Sequence, residues 1–222
     1  MANEGNVVQD SDVLVPGVSS CYRNGWRQLW KYFLKLLLIG VIALIISIPS
    51  GMSDWAEDAS ILDIIYGVIG LIYGILIVGP VDCGTTFANL KAARGDKLEI
   101  KNMFEAFQNY WNVVLASLLV LFIVGIGLIL LIVPGIIFAC KLAFTPYLVV
   151  DKKMEVIEAV KTSWHMTNGY AWKVFLIGLL AIPINIAGLI CFVVGVIISG
   201  MWINLAFASL YHSVSLSGEA SA

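Results

Sequence analysis

Two charged side chains fall in or at the edge of stretches that are otherwise apolar. Asp82 closes an uncharged run that begins after Asp63, and Lys141 is the only charge between Trp111 and Val150. An isolated cation near the middle of a bilayer costs at least about 2.5–3.5 kcal/mol, so Lys141 needs a partner, a wet cavity or a route to a surface. Two arrangements meet that need. In one, Asp82 and Lys141 form an ion pair facing the bundle interior, with Asn185 and Asn204 as further polar groups. In the other, Lys141 snorkels along its stem and Asp82 sits at the headgroups. The first would be either a structural pair, the usual meaning of one buried ion pair, or part of a polar path for a small solute, and the sequence does not choose between them.

Bond-breaking chemistry has less to work with. There is no Gly-x-Ser-x-Gly elbow, Walker loop, His-Glu-x-x-His or cluster of carboxylates. His165 and His212 are too few for a metal site without acids or thiols beside them. Asp151, Glu155 and Glu158 look like the acidic start of a helix, where they favour its N-terminal dipole. Cys83, Cys140 and Cys191 lie in or beside apolar stretches and read as small packing residues. The expectation is a protein that is not an enzyme, with no metal and no cofactor.

The elements that position these residues follow from composition. Of the 222 residues, 60% are hydrophobic and only 13% charged, against roughly 25% charged in a soluble domain. A net charge of -2 and the lack of a long basic run exclude nucleic acid as an expected partner. The partner implied is the lipid bilayer, with other membrane proteins as further candidates.

About 20 apolar residues in a helix cross a hydrocarbon core about 30 Å thick. The runs from Lys35 to Asp54 and from Asp63 to Asp82 each supply one crossing. The runs from Trp111 to Val150 and from Val174 to Tyr211 are about twice too long, so each predicts a hairpin, turning at Pro134-Gly135 and within Gly188 to Gly195. Six transmembrane helices result.

Positive charge sits on one side only. Arg23, Arg27 and Lys31 precede span one; Lys91, Arg94, Lys97 and Lys101 separate spans two and three; Lys152, Lys153 and Lys161 separate four and five. The segment between spans one and two carries Asp54, Glu57 and Asp58 instead. Both termini are therefore expected in the cytoplasm. Met1 to Asp12 has Glu4, Asp10 and Asp12 and no basic residue, unlike a cleaved signal peptide, so the first span should remain in the mature protein.

The segments before spans one, three and five each read as a short amphipathic helix ending in Asn and an aromatic residue: Asn24-Gly25-Trp26, Asn109-Tyr110-Trp111 and Asn168-Gly169-Tyr170-Ala171-Trp172. In the second, Ile100, Met103, Phe104 and Phe107 share a helical face; in the third, Ile157, Val160 and Trp164 do; the first offers Val15, Val18 and Tyr22. Trp26, Trp111, Trp164 and Trp172 are expected interfacial anchors, because the indole ring favours the headgroup level. The even-numbered spans also end alike, and aligning Phe87, Phe144 and Phe207 makes Gly84, Lys141 and Asn204 equivalent. The reading is an all-α membrane bundle of three parallel repeats, at about 13–90, 96–150 and 154–213, each a cytoplasmic amphipathic helix and a hairpin. Residues 1–12 and 214–222 are expected as disordered tails.

The order Val133-Pro134-Gly135-Ile136, then Phe144-Thr145-Pro146-Tyr147 and Asp151, then Glu158-Ala159-Val160-Lys161-Thr162-Ser163-Trp164 resembles a group of uncharacterised prokaryotic polytopic membrane proteins. That group is similar to the membrane domain of some glycerophosphodiester phosphodiesterases. The resemblance covers chiefly residues 95 to 180. It implies an all-helical protein of the cytoplasmic (inner) membrane and no phosphodiesterase activity, since no such catalytic domain is present. The expected role is a membrane scaffold, assembly factor or accessory subunit; the alternative is a small transporter or channel using Asp82, Lys141, Asn185 and Asn204.

Overall fold

A computed structural model describes the backbone of residues 16–49, 61–190 and 192–219, and every element among them is a helix. Helix α1 spans Val18–Ser47, with a kink at Tyr32 (φ -115°, ψ 19°) that divides an inner from an outer half. Helix α2 (Ile61–Tyr73) passes through a π segment, Gly74–Val78, into α3 (Gly79–Arg94). A 3-10 helix, Ile100–Asn109, leads into α4 (Tyr110–Leu130). Helices α5 (Ile132–Leu142), α6 (Thr145–Asp151), α7 (Val156–Met166), α8 (Ala171–Ile190) and α9 (Phe192–Glu219) complete the chain. Six helical stretches are long and apolar enough to cross a membrane: Val18–Ser47, Ile65–Arg94, Ile100–Leu130, Ile132–Asp151, Ala171–Ile190 and Gly195–Gly218. Helices satisfy their own backbone groups, which hydrocarbon cannot do for them.

Both hairpins form, with one turn displaced. The first turns at Leu131 (φ -160°, ψ 136°), three residues before the expected Pro134-Gly135. Pro134 instead lies in the first turn of α5, where a missing N–H costs no hydrogen bond. Gly135 serves the crossing, not the turn: a Cβ on it would come within 2.7 Å of the Leu128 nitrogen. In the second hairpin α8 ends at Ile190 and α9 begins at Phe192, and the residue between them lies outside the described ones.

The expected C-terminal tail is largely helix. Helix α9 runs on to Glu219, Val214 is 3% exposed, and the hydroxyls of Ser213 and Ser217 hold carbonyls three residues back. Packing of Val214 into the core overrides the polar composition that suggested disorder. The expected acidic tail 1–12, the acids Asp54, Glu57 and Asp58, Val15 and Cys191 lie outside the described residues.

The core gathers toward one end of the bundle, where α3 and α6 finish against the body of α9, around Leu90, Phe144, Leu148, Leu205 and Tyr211. The opposite ends spread apart, so that Ile65, Tyr66, Ile69 and Leu71 on α2 and Leu128 to Val133 at the α4–α5 tip are exposed. In lipid, exposed apolar side chains are at home.

Three polar-start segments sit against long spans by close backbone approach. At Gly84 of α3 a Cβ would overlap the carbonyl of Met103 on the 3-10 helix. At Gly25, in the inner half of α1, a Cβ would lie 3.2 Å from the Ala206 nitrogen of α9. On α5 the carbonyl of Lys141 accepts from Ser163 Oγ of α7 at 2.9 Å and from Thr167 Oγ1 at 3.1 Å. The 3-10 winding also changes which residues share a face. With three residues per turn, Phe104, Phe107 and Tyr110 form a column of rings at 6.1 Å spacings, the two phenylalanines exposed and Tyr110 half-buried, while Met103 and Ala106 turn inward. Met103 therefore parts from the apolar face expected of an α-helix.

Candidate functional site

The four polar residues singled out above do not converge. Asp82 lies in the first turn of α3 and is exposed. Asn185 on α8 donates to the Ala181 carbonyl at 3.0 Å and accepts from Ser199 Oγ of α9 at 3.1 Å, which ties the hairpin together. Asn204 is exposed on α9. Lys141 has a different partner from the expected Asp82: among the described residues no carboxylate pairs with it.

Lys141 sits in the last turn of α5. Its ammonium donates to Asn168 Oδ1 and lies 5.5 Å above the Trp164 ring. The cause is the docking of α7, because Ser163 Oγ also takes the Phe144 N–H at 3.2 Å, where the chain breaks between α5 and α6. Asn168 stands three residues before the span Ala171–Ile190, so the ammonium reaches the mouth of that span. An amide oxygen and an indole face are thus the contacts that stabilise this ammonium in place of a carboxylate.

Grooves flank α5 on both sides. One of about 430 Å³ is walled by Ser117, Val120 and Leu121 of α4 and by Ala139, Thr145 and Pro146. Thr145 is 1% exposed and its hydroxyl has no hydrogen-bond partner among the described residues. Two more, of about 330 and 360 Å³, follow the seam between α5 and α8 and share Ile136, Cys140 and Phe175. Their walls are almost entirely apolar.

A polar cluster went unseen in the sequence. Arg94 and Asp151, at the ends of α3 and α6, pair through two bonds of 2.7 and 2.6 Å. Tyr211 of α9 donates to the same carboxylate at 3.2 Å and stacks on Tyr147 at 4.9 Å. Nearby, Asn24 of α1 donates to the Ala93 carbonyl and to Ser209 Oγ. Asp151 is therefore the last residue of α6 and a clamp, not part of a helix start. The Phe alignment held the signal, since Arg94 and Asp151 both fall seven residues after their aligned Phe and carry opposite charges.

Of the expected anchors, Trp111 and Trp172 are 69% and 68% exposed, and Trp164 packs on Phe138 beside Lys141. Trp26 meets Trp30 and Trp202 edge to face. His165 is exposed. Among the described residues no three His, Cys, Asp or Glu side chains are grouped to hold a metal ion.

These features define a multi-pass helical membrane protein. No family model matches the chain, and no curated protein or solved structure is significantly similar to it.

Proposed function

We propose that this chain is a non-enzymatic membrane protein that works by interaction, as a scaffold, assembly factor or accessory subunit of a membrane complex. The observation that carries the reading is the state of span two. From Ile65 to Ile72 its apolar side chains are largely exposed, and at its base the Asp82 carboxylate is exposed with no ion-pair or hydrogen-bond partner among the described residues. A carboxylate on a lipid-facing helix side is costly, and a donor from a neighbouring chain would relieve it. The dispersal of Asp82, Lys141, Asn185 and Asn204 favours interaction over a solute path.

We also assign the chain to the cytoplasmic membrane of a prokaryote, on the family resemblance, with both termini inside, on the one-sided placement of its basic residues. We further read it as three parallel repeats. The seating of the inner half of α1 on α9, of the 3-10 helix on α3 and of α7 on α5 supports a closed ring of equivalent contacts. Likeness to the phosphodiesterase-associated membrane domain remains part of this proposal and rests on the residues quoted for it.

The test is a photo-crosslinking residue at Ile69 in native membranes. The expected product is a discrete protein adduct that weakens in Asp82→Asn; adducts to lipid alone would remove the reading. The rival, a small transporter or channel, is supported if a cysteine at Asn185 reacts with a membrane-impermeant thiol reagent.

A further inference from the structure

The seam between α5 and α8 combines three features that its packing role leaves unexplained. Two apolar grooves run side by side along it, separated by the shared walls Ile136, Cys140 and Phe175. On α8 the lining extends from Ala171 to Ile182, about 16 Å of helix, which matches half of a hydrocarbon core about 30 Å thick. At one end of the seam stands the Lys141 ammonium, on the residue that follows Cys140 and bonded to Asn168 three residues before Ala171, with no carboxylate partner among the described residues.

We propose that this seam binds one diacyl phospholipid with an anionic headgroup, its two chains in the two grooves and its phosphate on Lys141. The chemistry at each end fits. An ammonium has three donors; one goes to Asn168 Oδ1 and one side faces the Trp164 ring, which leaves a donor for a phosphate oxygen. The Asn168 amide nitrogen has no acceptor among the described residues and supplies a second. Trp172, 68% exposed, flanks the position where an interfacial indole packs beside a glycerol backbone.

The surrounding charge is favourable. Lys161 and His165 lie exposed on α7, and Lys173 of α8 reaches back to the Pro16 carbonyl at 2.5 Å. The acids of α7, Glu155 and Glu158, lie at its start, two to three turns from His165. A zwitterionic lipid would fill the grooves equally well but would bring its own cation to Lys141. Preference for an anionic head is thus the distinguishing property. The proposal goes beyond the interaction reading and does not depend on it, since the seam lies on α5 and α8, apart from α2.

The full-length protein is reconstituted into vesicles of equal phosphatidylglycerol and phosphatidylcholine, with a photo-crosslinker at Ile182 in the seam or at Leu115 on α4 as control. Adducts are assigned by mass. Phosphatidylglycerol should be enriched at Ile182 over Leu115 by about fivefold, the worth of one basic residue against an anionic lipid. The enrichment should vanish in Lys141→Gln and persist in Lys141→Arg. In Gly178→Leu, which fills the groove beside Phe207, both lipids should label Ile182 less. Equal labelling at the two positions, or enrichment that survives Lys141→Gln, overturns the proposal. If Lys141→Gln does not assemble, loss of the enrichment in Lys141→Arg or full labelling in Gly178→Leu overturns it. Since Ile69 is not used, failure here leaves the crosslinking test of the interaction reading intact.

Discussion

The guanidinium of Arg94 grips both oxygens of the Asp151 carboxylate, at 2.7 and 2.6 Å, and so joins the ends of two helices 57 residues apart in the chain. Tyr211 adds a third helix to the same carboxylate. The two side chains retain 23% and 11% exposure, so water screens the pair only in part.

Arg94→Ala leaves Asp151 without its counter-charge and should lower stability by about 3 kcal/mol, the low end for breaking a buried pair, given this residual exposure. Replacing both residues, as Arg94→Met with Asp151→Leu, should recover much of the loss. Thermal unfolding of the parent, Arg94→Met, Asp151→Leu and the double variant in mild detergent measures the coupling. A double variant as unstable as the sum of the singles would show that the pair is not coupled.

Gly84→Ala should be costly, because the added methyl meets the Met103 carbonyl, which is backbone and cannot rotate away. A loss of about 3 kcal/mol or more is expected from such overpacking. Gly40→Ala, where nothing lies within 4 Å, should be neutral or slightly stabilising through helix propensity. Equal melting temperatures for the two variants would contradict the close approach.

Ser163 serves two backbone groups at once and is fully buried. Ser163→Ala should cost about 1–3 kcal/mol by leaving the Phe144 N–H unsatisfied, while Thr167 still holds the Lys141 carbonyl. Faster hydrogen exchange at Phe144 than in the parent protein is the local signature.

Truncation after Ser213 removes Val214 from the core and should cost about 2 kcal/mol, as for any fully buried aliphatic side chain. Truncation after Gly218 should leave the melting temperature unchanged. If both truncations behave alike, the end of α9 does not pack as described.

Several features were open to reading along the chain. The charge-free runs predicted both hairpins, each now a pair of helices. Pro134 misled by three residues, because proline fits the first turn of a helix as well as it fits a loop. The helical face assigned to Ile100, Met103, Phe104 and Phe107 assumed 3.6 residues per turn, and winding at three per turn sent Met103 inward.

The sequence alone determined the class of molecule and the number of crossings. Hydrocarbon offers no hydrogen bonds, so each long apolar run must be helical and each double-length run must fold back. It did not determine which polar groups meet. In a soluble helix, alternation of polar and apolar residues reveals the inward face, but in these spans nearly every position is apolar and the period is silent. Depth along the spans therefore left two arrangements for Lys141 open, a pair with Asp82 or a stem that snorkels to a surface. Only tertiary packing brought Lys141 to Asn168, through the seating of α7 on the α5–α6 break, and brought Arg94 at the end of α3 to Asp151 at the end of α6, beside Tyr211 of α9.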